Sequence, residues 1–441
     1  MSSNTNILHS ITEKYPRGIP KKITDRESIE ETTYDKHIKA KVSLVYNFTL
    51  DGIMFDDSGP FLKVSTDVQS SLLHSFTPRL ENRVSKIFPD PVHQNVFTAT
   101  HPSVIWFNGE IVLTARIWLQ NDHYTEQNKR PLNMFRDNHI FIQRLNRNLK
   151  PLDRGQLLGI PTQVWGSLGE GGPRHAKLFV KKDKLHISFN TGISLSQALY
   201  VDHPIIWNFE KGETVVPKVK GGTPFMTPFT GNWQYEKHWM ALDLPNGFHF
   251  VYSIDPLRVL KCVDSIASCQ FVSNDNLPNG TNPKSGLHLR GGAHFVEYVS
   301  SYYITVGHTT MYKMANNLRI YGANIILIST SPTFRVIYVS GPIKVSPKIL
   351  HRIKIKRREL VDDPFIFPCS VIVEDLDNLA IGVNVNDMAS VVIRITGIKE
   401  MLDRVIKIDK ENGTKKGPTP GSVQESVFHL MEKVTGQNFH S

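Results

Sequence analysis

Basic and imidazole side chains recur in this sequence in short clusters beside runs of apolar and aromatic residues. His101-Pro102-Ser103, Gly172-Pro173-Arg174-His175-Ala176-Lys177, Glu236-Lys237-His238-Trp239 and Arg290-Gly291-Gly292 precede such runs, and Arg116, His308 and Asp387 follow them. Gathered at one place, these groups would bind an anion, because guanidinium and ammonium donors form charge-assisted hydrogen bonds that suit phosphate oxygens. Imidazole adds a group that exchanges protons near neutral pH. Carboxylates are few: Glu236, Asp255 and Asp387, with Glu170 slightly upstream. A metal held by oxygen ligands is therefore not expected. The scattered histidines 101, 175, 238, 294 and 308 read as hydrogen-bonding groups rather than zinc ligands, so neither metal nor cofactor is expected.

What could gather them is a repeated element. Two short apolar runs separated by a turn occur from Val104, Ala176, Met240, Ala293 and Ser370. Each reads as a β-hairpin, and Asn108-Gly109 and Asn246-Gly247 are strong signals for tight primed turns. Further strand-like runs fill the gaps, among them HIFIQRL, QALYVDHPIIW, RVLKCV and FRVIYVSG. A recurring four-stranded meander predicts an all-β, five-bladed propeller; a pair of β-sandwiches is the alternative. In a propeller the innermost strand of each blade begins at the rim where its antiparallel neighbour ends, which places all the clusters around one mouth.

Residues 1–40 read as an N-terminal extension, 41–409 as the propeller, and 410–441 as a Gly-, Pro- and Lys-rich linker followed by a helix over 422–434. That helix carries Val423, Val427, Leu430 and Met431 on one face. At 441 residues with 40% hydrophobic residues the chain can bury a large core. A net charge of +10 favours anionic partners. Three cysteines without metal-ligand spacing, Cys262, Cys269 and Cys369, read as reduced thiols, which points to the cytoplasm. Neither a signal peptide nor a membrane span is expected, and glycosylation at the sequons of Asn47, Asn279 and Asn412 is not expected either. The densest basic run, Lys344–Arg358, lacks interleaved aromatic platforms and reads as a solvated strand face rather than a nucleic-acid site. No Walker loop, nucleophile elbow, zincin helix or dinucleotide fingerprint occurs.

At these positions, scattered over roughly 100 to 400, the sequence resembles the five-bladed propellers of glycoside hydrolase family 130, the inverting β-mannoside phosphorylases, and related β-mannosyltransferases. His101-Pro102-Ser103 is similar to the family's Asn-Pro-Ser and Arg116 to its strand-end arginine. Glu236-Lys237-His238-Trp239 is similar to Glu-Lys-Asn-Trp, and Arg290-Gly291-Gly292 with His308 to Arg-Gly-Gly and a later histidine. The family's Gly-Pro-Glu-Asp-Pro-Arg-Leu-Phe carries its general acid, whereas Gly172–Phe179 has Arg174 for the Glu and His175 for the Asp. The resemblance implies inverting transfer of a mannose-like glycosyl group with phosphate, a sugar phosphate or a nucleotide sugar, and an oligosaccharide as the other partner. His175 or Glu236 would handle the proton. His101, Arg116, Arg174, Lys177, Lys237, His238, Trp239, Arg290, His308 and Asp387 would bind substrate. Loss of the acid leaves a second expectation, a glycan-binding protein without turnover, and a third and weaker one, an acidic-surface or nucleic-acid binder.

Overall fold

The computed structural model describes residues 47–50, 53–56, 70–75, 97–120, 136–158, 160, 170–196, 199–222, 227–228, 233–235, 238–273, 288–313, 316–343, 345, 350, 355, 360–361, 363–412 and 422–435. The architecture is a five-bladed β-propeller, as the hairpin recurrence predicts. The innermost antiparallel pairs are Phe97–Phe107 with Glu110–Gln120 in blade I, Arg174–Lys181 with Lys184–Ser196 in blade II, and Met240–Leu244 with Gly247–Ser253 in blade III. In blade IV, His288–Gly291 and Val296–Val299 both pair with Tyr302–Tyr312; in blade V, Ile366–Val373 pairs with Asn378–Val385. Blade V is completed by Ser70–Ser75, which adds to Ala389–Thr396 and so joins the two ends of the ring.

Alternation of side chains along each strand supplies both blade faces with apolar groups, and these meet the next blade. Ile140 and Ile142 of blade I pack with Leu178 and Ile187 of blade II. Phe179 continues to Phe248 and Phe250 of blade III, and Leu242 to Phe295 and Ile326 of blade IV. Ile325 meets Ile381 of blade V, and Ile372 returns to Leu113 of blade I.

The innermost strands are sheet edges facing a closed channel, so their free N–H groups need partners that water cannot supply. Neighbouring blades provide them. Val104 N donates to Ser370 Oγ at 2.8 Å, Leu178 N to Ser103 Oγ at 2.9 Å, and Ala241 N to His294 Nδ1 at 2.7 Å. Gly382 is required by the same closeness, since a Cβ there would stand 2.4 Å from Ser370 Oγ and 2.5 Å from the Pro102 carbonyl oxygen.

Three local readings are corrected. Asn108 and Gly109 both take positive φ, as a primed turn needs. At Asn246-Gly247 the closing pair is Leu244 with Gly247, so Pro245 and Asn246 occupy the turn, and the proline ring excludes positive φ at the first. Cys262 and Cys269 are disulfide-bonded rather than reduced: they face each other across two paired strands, which brings together residues seven apart. The third correction is an additional helix. Besides the expected helix, α2 (Ser422–Thr435), a helix α1 spans Lys399–Asn412. Met401, Leu402, Val405 and Ile406 join the blade IV–V core, and Asp409 receives Arg335 Nη1 at 2.7 Å and Tyr302 Oη at 3.0 Å. Val423 and Val427 of α2 are buried against blades III and IV.

Ser370→Ala should cost about 1–3 kcal/mol of stability by stranding the Val104 N–H, while Ser370→Thr should cost less. Denaturant unfolding of the two variants measures this.

Candidate functional site

Four of the five innermost strands break their regular pairing at the same height. The register slips by one residue between Thr100 and Ser103, between Arg174 and Lys177, and between Pro368 and Ser370. In blade IV, Gly292 N and Ala293 N donate to one carbonyl, that of Val306. A bulge re-aims the side chain it carries. Here the residues at or beside the irregularities are His101, His175 and Cys369. His101, His175 and His238 also share a left-handed backbone, with φ of 54°, 52° and 67°. Non-glycine residues hold that conformation only where the surroundings impose it, and they concentrate at functional sites. Gly172, at φ 79°, opens the blade II segment, where a Cβ would stand 2.1 Å from the Asn138 carbonyl oxygen.

The result is an arc of imidazoles. Ring centroids lie 4.8 Å apart for His101 and His175, 5.7 Å for His175 and His238, and 4.9 Å for His238 and His308. His288, which the sequence reading passed over, follows at 5.4 Å from His308. It shares a strand face with Arg290, two residues on, and Arg290 pairs in register with His308. Phe367 of blade V reaches His101, His238 and His308 at 5.8, 6.1 and 4.3 Å.

Within this arc Lys177 is buried, and its Nζ has no hydrogen-bond partner among the described residues; the same holds for His238 Nδ1 and His308 Nδ1. Burial pushes the Lys177 ammonium down to about 8, against a small opposing influence of the Cys369 thiol. Burial also holds His238 and His308 well below the ordinary histidine range, helped at His238 by His308, Lys177 and His175, and at His308 by Arg290 and Lys177. Both are therefore neutral at pH 7, and His308 already engages the Gly291 backbone. His294 is neutral for a geometric reason as well: Nδ1 accepts the Ala241 N–H, so Nε2 carries the proton and donates to Ser188 Oγ at 2.9 Å.

The other described residues of the expected set are held by contacts of their own. Arg174 is ion-paired with the buried Asp202 at 3.1 Å, and Arg116 donates to Asn138 Oδ1 at 2.7 Å with its guanidinium over Trp118. Trp239 packs in the core against Phe250 and Tyr252. Asp387, at φ 57°, accepts from Asn384 Nδ2. Glu236 and Lys237 lie outside the described residues, as does all of Lys344–Arg358 except Val345, Leu350 and Ile355. No group of described His, Cys, Asp or Glu side chains is arranged to hold a metal ion. No described helix is long and apolar enough to cross a membrane.

No family model matches the chain, and no curated protein matches it in sequence. Among solved structures, it is similar to the β-1,2-mannobiose phosphorylase from Listeria innocua, with 13% identity over 72% of this chain and 95% of that one, at a TM-score of 0.44. A glycosyl hydrolase from Bacteroides ovatus shares 12% identity over 67% and 84% of the two chains, at 0.41. A mannose phosphorylase from Leishmania mexicana, in complex with phosphate ion, shares 14% identity over 74% and 88%, at 0.37. At such identities and TM-scores the likeness specifies neither ligand nor reaction.

Proposed function

We propose that the chain is a carbohydrate-active propeller that transfers a mannose-like glycosyl group with inversion, taking phosphate, a sugar phosphate or a nucleotide sugar at the cationic mouth. The observation that carries this reading is the buried Lys177 ammonium without a hydrogen-bond partner among the described residues, beside Arg290 and two imidazoles with open nitrogens. An uncompensated cation in a low-dielectric site is costly, and a bound anion removes the cost. Lys177, Arg290, His238 and His308 would hold the anion, with Lys237 as a further donor. In the phosphorolytic direction a phosphate oxygen attacks the anomeric carbon on the face opposite the leaving group. The glycosidic C–O bond breaks, and the leaving oxygen takes a proton from His175 or Glu236. Arg174 and Arg116, held by Asp202 and Asn138, belong to the substrate-binding set of this proposal.

One observation favours the second reading, a glycan-binding protein without turnover. Asp387 accepts from Asn384 Nδ2, so this carboxylate already has a partner. Cytoplasmic residence rested on reduced thiols, and the Cys262–Cys269 bridge removes that support.

A screen of sugar phosphates and nucleotide sugars, following binding and turnover together, separates the readings. Turnover that falls about 10²–10⁴-fold in His175→Ala, with ligand affinity kept, supports the enzyme; binding with no turnover supports the second reading. Lys177→Met should weaken inorganic phosphate about ten- to a hundredfold by calorimetry and yet stabilise the fold by about 1–3 kcal/mol. The pH dependence has a defined sign. The folded pKa of about 8 lies below the ordinary lysine value of 10.5, so the unfolded chain binds the extra proton between them. The stability cost is complete below about pH 8 and fades as pH rises towards 10.5, a rise that Lys177→Met should abolish. Phosphate affinity should run the other way, falling about tenfold from pH 7 to pH 9 as the site loses its ammonium.

A further inference from the structure

The central channel has a second end, remote from the imidazole arc. On the inner strands, the residues that follow those of the mouth line a cavity of about 290 Å³ to which all five blades contribute. Residues 104–106 come after His101, 178–180 after Lys177, Ala241 and Asp243 after His238, 294–297 after Arg290, and 370–373 after Phe367. Ser370 and His294, the acceptors that join inner strands, line it on the side towards the mouth. Its walls are largely apolar and include the rings of Trp106, Phe179, Phe295 and Tyr303. Two carboxylates stand at its rim. Phe295 N donates to the Ala241 carbonyl at 3.0 Å, and both strands run away from the mouth. Two residues further along each strand, on the same face, Asp243 and Glu297 therefore stand side by side, both exposed. Among the described residues no cation forms an ion pair with either. Lys182 pairs with the Asp264 carboxylate at 3.0 Å, Lys181 Nζ donates to the Asp264 carbonyl, and Arg147 lies over Trp106 at 5.0 Å. What Asp243 does receive is a long hydrogen bond from Lys182 N at 3.4 Å.

We infer that this cavity binds a small organic amine, with its hydrocarbon body among Phe179, Phe295 and Tyr303 and its ammonium at Asp243 and Glu297. Like charges set side by side repel, and a cation between them removes the repulsion. A neutral apolar molecule would leave that pair unrelieved, and an inorganic cation would leave the apolar walls uncovered. An ammonium on a hydrocarbon body meets both, and aromatic faces attract cations in addition. The volume lies at the lower end of small-molecule sites, which limits the body to about one six-membered ring or a chain of similar size. Binding is non-covalent, and the site stands apart from the anion-binding mouth and does not depend on it.

The test titrates the whole protein with phenethylammonium and hexylammonium, and with phenethyl alcohol and hexyl alcohol as their neutral counterparts, by calorimetry and ligand-observed NMR. At least one ammonium probe should bind with a dissociation constant of about 1 mM or tighter, and its alcohol about tenfold more weakly. Asp243→Asn and Glu297→Gln change exposed positions, so both should fold. Each should weaken the ammonium probe about three- to fivefold, and the double variant about tenfold, with no effect on the alcohol. Val180→Phe, which narrows the cavity from a half-buried position, should weaken both kinds of probe about tenfold. Should Val180→Phe fail to fold, the two rim variants decide alone. The inference is overturned if neither ammonium probe binds the wild type, if the alcohols bind as well as the amines, or if the double rim variant keeps its affinity for the amine.

Discussion

The mouth depends on how the innermost strands are held where they have no sheet neighbour. A propeller buries five strand edges against its own axis, and every exposed N–H there must find an acceptor or the ring is weakened. Ser103, Ser370 and His294 are those acceptors, each reaching the strand of an adjacent blade. Two of them sit just past a bulge, so the same irregularity that turns a hydroxyl to the next blade turns the preceding side chains to the mouth. Structural tie and site geometry are one arrangement. It sets the imidazoles of His101, His175, His238, His308 and His288 next to one another.

Electrostatics then follow from position. Dehydration, not a neighbouring charge, is the main reason that Lys177, His238 and His308 lose affinity for protons, and mutual repulsion among them adds to it. Neutral imidazoles around a charged amine give a site that is cationic but not overwhelmingly so.

Much of this was legible in the sequence. Val104, Ala176, Met240, Ala293 and Ser370 begin hairpins that are the inner pairs of the five blades, since period-two alternation bounded by turn residues survives in any β context. The convergence of His101, His175, His238 and His308 followed from their shared position at the entering or departing ends of those hairpins. What escaped was set by pairing rather than by pattern. The Asn246-Gly247 turn slid by one residue because Pro245 fixes its own φ, and Cys262 met Cys269 through strand register. Arg174 meets Asp202 from two strands away in blade II, and Phe367 meets rings of three other blades, contacts that only sheet order and ring closure create. Helix α1 follows the last strand with only Gly397 and Ile398 between, so no linker announced it.

Closure by Ser70–Ser75 has a consequence for how the molecule comes into being. The chain is made from its N-terminus, so blades I to IV can emerge and form hairpins in order, but the strand that completes blade V is among the first synthesised and its partners among the last. Val104 likewise waits for Ser370, across 266 residues, before its N–H is satisfied. Until then His101 has no Phe367 beside it, and the nascent chain carries an open ring with two unpaired edges. The finished mouth therefore exists only after translation has passed blade V, and a chain truncated within it would present exposed strands to a chaperone rather than a partly working site.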